Sequence, residues 1–126
     1  MSFDQSQFST PDASLFQTGY AYIPSACKNA SGGPPCRLHV AFHGCEQSVE
    51  FVQQQFVENA GYNNVAEANN IVVLYPQCGK DELQSNPNGC FDWWGYTGAD
   101  YVEQSAKQMT AVKKMIDYVS GKAVLA

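Results

Sequence analysis

The chain has 126 residues, 44% hydrophobic and 15% charged, which is the composition of one globular domain with a modest core and not of a disordered segment. Its formal net charge is −5 and its seven basic residues are scattered, so no phosphate-binding surface for nucleic acid is expected. No apolar run approaches the ~20 residues that span a bilayer, so no membrane partner is expected, and the first residues lack the basic and apolar pattern of a signal peptide.

Residues 1–18 are polar and interrupted by Pro11, and read as an arm or linker ahead of a domain over 19–121, with 122–126 as a tail. Residues 19–24 read as a short strand that Pro24 stops. CKNASGGPPC, 27–36, is an exposed loop in which Asn29 heads a glycosylation sequon. Residues 37–42 are nearly continuous in apolar side chains, as in a strand covered on both faces. A helix is expected over 49–59, with Phe51, Val52 and Phe56 at helical spacing and Gly61 as the residue that ends it. A short helix over 62–68 stops at Asn69-Asn70. The clearest strand, 71–76, follows. Residues 77–90 form a polar loop with a strong Asn86-Pro87-Asn88-Gly89 turn signal. The last helix is expected over 100–120. Val102, Ala106, Met109, Val112, Ile116 and Val119 make its core stripe, Thr97 and Asp100 stand in capping-box spacing, and Gly121 stops it. Strands 37–42 and 71–75, joined by a helix, form a βαβ unit. The fold class is therefore α/β, with a small, mainly parallel sheet and no internal repeat.

HVAFHGCEQS, 39–48, runs a strand into a tight His43-Gly44-Cys45 turn and then a helix start. Enzymes use that arrangement to aim backbone N–H groups at a developing negative charge. The order strand, His-Gly loop, helix, strand, loop, helix follows that of α/β-hydrolases, where one oxyanion donor comes from the loop after the third strand. The nucleophile elbow of that fold is GxSxG, and no GxSxG lies in the 126 residues. Ser31 follows no strand, and Ser48 and Ser105 sit in helical sequence. His39 and His43 have no nucleophile beside them and read as hydrogen-bonding structural residues. Asp92 reads as a structural or capping carboxylate, and Asp81-Glu82 as a solvated loop.

The stretches FDQSQF, GYAYIPSAC, CRLHVAFHGCEQ, GYNNVAEANNIVVLYPQ and NPNGCFDWWGYTG together resemble the C-terminal half of secreted poly(3-hydroxybutyrate) depolymerases, which have a circularly permuted α/β-hydrolase fold. The resemblance covers most of the chain, and HGC after the strand together with NPNGCxDWWGYTG is its specific part. It implies serine-type hydrolysis of a 3-hydroxyalkanoate ester, with the nucleophile, acid and base in the N-terminal half of such enzymes. It also implies that Cys45 gives its backbone N–H to the oxyanion hole, and that a tryptophan touches the polymer. Phe91, Trp93, Trp94 and Tyr96 are thus candidate contacts for a hydrophobic polyester, with core packing as the other reading. The chain is expected to be inactive alone, and either to need a missing N-terminal half or to self-associate. Strand 71–75 is the expected open edge. A secreted, non-catalytic binding module that uses the 91–96 aromatics is the alternative, and a disulfide-dependent structural protein is a third reading.

The five cysteines contain no CxxC pair and fit no zinc spacing, so no metal is expected, and no cofactor either. Five buried thiols remain an alternative to disulfides formed in an oxidising, extracellular compartment. The expected pairs are Cys27–Cys36, closing a short loop, and Cys45–Cys90, tying the oxyanion turn to the tryptophan segment. Cys78 is left free.

Overall fold

The computed structural model describes residues 1–28 and 35–123. Four strands, β1 (Ser2–Asp4), β2 (Thr18–Tyr22), β3 (Arg37–Val40) and β4 (Ile71–Tyr75), form one sheet in the order β1-β2-β4-β3. Four helices accompany it: α1 (Val49–Val52), α2 (Gln55–Asn59), α3 (Tyr62–Asn69) and α4 (Lys107–Ser120). The class is α/β, as read from the sequence, but the sheet is mixed. β3 and β4 are parallel, with Leu38 opposite Val72 and Val40 opposite Leu74. The β1–β2 and β2–β4 pairs are antiparallel. A parallel neighbour needs a crossover helix, and among the described residues only the β3–β4 connection contains an α-helix.

β4 accounts for the layering. Its Val72 and Leu74 face α4, where Ala111, Met115 and Val119 complete a core with Phe3 and Ala21. Its Val73 and Tyr75 face the other side, against Ala66 of α3 and Phe56 and Val57 of α2. Helices cover both faces, so the strand reads as an unbroken apolar run. β4 is also flanked on both sides by strands, which corrects the expectation that 71–75 is the open edge. The open edge on that side of the sheet is β3. The N–H groups of Arg37 and Ala41 donate toward β4, to Asn70 and Leu74. The period of two then sets the N–H groups of Leu38 and Val40 on the unpaired side.

Residues 1–18 are not an arm. Ser2–Asp4 pairs with β2, and Phe3 is buried against Phe8 and Tyr118, with ring centroids 6.3 and 5.5 Å away. The polar composition concealed a buried Gln5 side chain bonded to backbone groups. Gln5 Nε2 donates to the carbonyls of Phe16 (2.6 Å) and Gln77 (2.5 Å), and Gln5 Oε1 accepts the Gln77 N–H (3.1 Å). A polar residue satisfied in this way can be buried as fully as a leucine.

Two helices differ from expectation. The 49–59 helix is two short helices broken at Gln53, whose φ is +55°. The last helix begins at Lys107 and not near 100. Both expected capping groups are engaged elsewhere: the Thr97 hydroxyl donates to Asp92 (2.7 Å), and Asp100 accepts from Ser105 Oγ (3.0 Å). Val102 and Met109 consequently stay exposed, while Ala111 and Met115 enter the core.

Candidate functional site

The chain leaves the sheet after Ala41 and turns at His43-Gly44-Cys45. His43 is buried. Its Nδ1 lies 2.7 Å from the Gly44 carbonyl, and its Nε2 accepts the Cys78 N–H at 3.0 Å. Burial pushes the imidazole below its ordinary pKa, and the bond to Gly44 opposes this only in part. The Gly44 N–H donates to Gln47 Oε1 (2.7 Å), and the Glu46 N–H donates to the Asn88 carbonyl (2.8 Å). The Cys45 N–H, on an exposed residue, has no acceptor among the described residues.

A disulfide joins Cys45 to Cys90, with Cα atoms 4.3 Å apart, and so fastens this turn to the aromatic segment. The NPNG turn supports the same junction. Gly89 has φ +57°, and a Cβ there would meet the Phe51 ring at 2.9 Å, so glycine is required. Asn86 accepts the Cys90 N–H and donates to the Cys90 carbonyl, both at 2.9 Å.

Asp92 organises the tryptophan loop. Its Oδ1 accepts the N–H groups of Trp94 (3.2 Å), Gly95 (2.6 Å) and Tyr96 (3.1 Å), and its Oδ2 accepts the Thr97 N–H (2.8 Å) and hydroxyl. Burial alone would raise this carboxyl's pKa, but the bonds from Thr97, Gly95 and Tyr96 outweigh it and hold the group below the usual carboxylate range. The carboxylate therefore folds the loop, which agrees with its structural reading.

The clasp leaves Trp93 71% and Trp94 40% exposed, with ring centroids 5.1 Å apart. Trp94 also leans on Tyr96 at 4.7 Å. Phe91 is half-buried, edge-on to Phe42 (5.0 Å) and against His43 (4.8 Å). The Tyr96 hydroxyl is spent internally: it donates to the Cys90 carbonyl (2.6 Å) and accepts from Gln108 Nε2 (2.8 Å) and Asn86 Nδ2 (3.0 Å). The structure therefore brings Cys45 and Phe91 together around His43, exposes the two tryptophans, and uses Tyr96 as a post. Sequence reasoning passed over Phe42, which is 52% exposed, and the buried Asn86–Gln108–Tyr96 network. Phe42 belongs to the nearly continuous apolar run at 37–42, which reads as buried strand and so does not mark it as exposed. Nothing in the sequence marks Gln108, which sits among helix-forming residues.

A second disulfide, Cys27–Cys36, has Cα atoms 6.0 Å apart, and Cys78 is a buried free thiol. Burial chiefly raises that thiol to about 11, so it is neutral. His39 is exposed and stacks on Tyr62 (5.6 Å). The sequon residue Asn29 lies outside the described residues. Among the described residues, no cluster of three His, Cys, Asp or Glu could hold a metal, and no helix is long and apolar enough to cross a membrane.

No protein-family model matches the chain. It is 49% identical over 118 residues to the poly(3-hydroxybutyrate) depolymerase of Delftia acidovorans, a match to 94% of this chain and 23% of that protein. It is 43% identical over 104 residues to the polyhydroxybutyrate depolymerase of Talaromyces funiculosus, covering 75% of this chain and 30% of that one. The chain is homologous to one segment of the poly(3-hydroxybutyrate) depolymerases. The crystal structure of PHB depolymerase from Penicillium funiculosum superposes with a TM-score of 0.80 at 37% identity, over 93% of this chain and 39% of that one. A second structure, a serine-to-alanine variant of a PHB depolymerase complexed with an R3HB trimer, matches equally well. The chain thus spans less than a third of the two curated relatives it matches, and its α/β-hydrolase-like sheet corresponds to part of theirs.

Proposed function

We propose that this chain is the oxyanion-donor and substrate-contact part of a serine-type polyester depolymerase acting on 3-hydroxyalkanoate esters. The observation that carries the reading is the Cys45 N–H: it has no acceptor among the described residues, it belongs to an exposed residue, and it is tied through Cys45–Cys90 to the segment that exposes Trp93 and Trp94. A preorganised donor of this kind lowers an ester-hydrolysis barrier by about 2.7–4 kcal/mol once a nucleophile attacks the carbonyl. The tryptophan faces offer the polymer large apolar area at little rotamer cost. Phe91 contributes its ring edge, and Tyr96 braces Trp94.

The nucleophile must come from elsewhere, since the sequence has no elbow serine. We place its carrier at the β3 edge. The N–H groups of Leu38 and Val40, without an acceptor among the described residues, lie there, with an apolar groove on either face. One groove, about 450 Å³, is lined by His39, Tyr62, Val65 and Ile71. The other, about 100 Å³, is lined by Phe42, Phe91, Met109 and Val112. A strand with a helix on each side would fill all three, and the matched PHB depolymerase has 39% of its chain in common with this one, with the remainder available to supply them. Two disulfides suit an oxidising, extracellular setting.

The test pairs two assays. The chain should cosediment with poly(3-hydroxybutyrate) granules, and the Trp93→Ala/Trp94→Ala double variant should bind at least tenfold more weakly. The chain alone should take up no fluorophosphonate and turn over no short-acyl ester. Stoichiometric labelling of any serine would overturn the division of labour. Granule binding that survives loss of both tryptophans would remove the substrate assignment. The second reading, a binding module without catalytic history, predicts the same binding and no response of the Cys45 amide to ligand.

A further inference from the structure

His43 is buried at the base of the donor turn with both ring nitrogens in use. The roles of those nitrogens follow from their partners. The Cys78 N–H can only donate, so Nε2 must be an unprotonated acceptor. The Gly44 carbonyl can only accept, so Nδ1 must carry the proton. Both contacts hold in a single state, the neutral Nδ1–H tautomer.

Gly44 O belongs to the same peptide unit as the Cys45 N–H. In a trans peptide the C=O and N–H point in opposite directions, and none of the described peptide bonds is cis. Anchoring the Gly44 carbonyl on the imidazole therefore turns the Cys45 N–H away from the ring, where it finds no acceptor among the described residues. The other side of the ring ties to the Cys78 backbone. The Cys78 Sγ in turn lies 3.0 Å from both the Cys90 and Ser14 carbonyls, and 3.6 Å from the Tyr96 hydroxyl. One imidazole thus links the donor peptide to the platform beneath the tryptophans.

We infer that His43 is a positioning residue whose neutral Nδ1–H tautomer sets the direction of the Cys45 N–H. The inference rests on the reading of that N–H as an oxyanion donor. The ring is packed by Phe56 from α2 and by Phe91. The titratable group on the adjoining segment is the neutral Cys78 thiol, and no charged side chain contributes to the shift of the histidine. Protonation would put a second N–H against the Cys78 donor, and the turn would have to move. The donor should therefore be correctly set at neutral and alkaline pH and lost in acid, below the ordinary histidine range near 6.5.

Nitrogen-15 NMR of the labelled chain tests this directly. Expected are a single Nδ1–H tautomer for His43, a titration below the ordinary histidine range near 6.5, and a Cys45 amide signal that moves with His43. His43→Asn, which keeps a donor near the Nδ1 position, should leave the Cys45 amide closer to the wild-type signal than His43→Leu does. An Nε2–H tautomer, or a Cys45 amide indifferent to His43 titration, overturns the inference, and the wild-type titration decides even where a variant fails to fold. A Cys45 amide that follows His43 but ignores added R-3-hydroxybutyrate trimer would instead leave the positioning intact and sink the oxyanion reading.

Discussion

Asp92 shows how one side chain can make a binding surface without touching a ligand. Five hydrogen bonds converge on its two oxygens and hold Trp93 and Trp94 outward. Asp92→Ala should cost about 2 kcal/mol or more in thermal unfolding, on the scale of bonds to a charged group, and should broaden the tryptophan emission. The carboxyl's pKa is lowered in the fold, so its contribution is complete above the unfolded value near 3.9 and fades as pH falls through the folded value. An acid-unfolding midpoint unchanged by Asp92→Asn would contradict this role. Cys78 is a simpler case. A neutral thiol raised to about 11 by burial should not react with Ellman's reagent in native buffer, and one equivalent should appear in denaturant. Three equivalents without a reductant would contradict one of the two disulfides, and five would contradict both.

The decisive element is β3. The N–H groups of Arg37 and Ala41 are paired with β4, while those of Leu38 and Val40 lie on the open side. Hydrogen exchange along the strand should therefore alternate, slow at 37 and 41 and fast at 38 and 40. Uniform protection would mean that something already covers the edge. The open edge predicts self-association at micromolar concentration, measured by light scattering, which Val65→Glu and Met109→Glu, one in each flanking groove, should reduce with little change in melting temperature; a monomer at that concentration would contradict it. The Cys45–Cys90 bridge acts between elements and closes a loop of 45-residue separation. On the chain-entropy model, its removal by Cys45→Ser/Cys90→Ser should cost about 4 kcal/mol.

Across the whole molecule, legibility followed the kind of force at work. The apolar runs at 37–42 and 71–76 announced β3 and β4, but only β4 is buried on both faces; Arg37 and His39 leave one face of β3 exposed, against the expectation that 37–42 is covered on both. The position of β4 within the sheet was not legible, since its antiparallel neighbour β2 is set by a pairing that leaves no mark in either strand. The N-terminal strand was hidden because the buried Gln5 side chain is satisfied by backbone groups of Phe16 and Gln77, and composition scores such a residue as surface. The start of α4 was misplaced because Thr97 caps nothing and serves Asp92. In the candidate site, the HGC turn and the tryptophan pair stood out as motifs. The role of His43 depends on two backbone partners, one of them 35 residues away, and needed the fold.

The central claim is that the Cys45 N–H and the Trp93–Trp94 faces serve one ligand. Titrating the nitrogen-15-labelled chain with R-3-hydroxybutyrate trimer at pH 8 tests it most directly. The Cys45 amide and both indole N–H signals should shift together along one binding curve. Indole shifts with a stationary Cys45 amide, or no shift at either place, would contradict it.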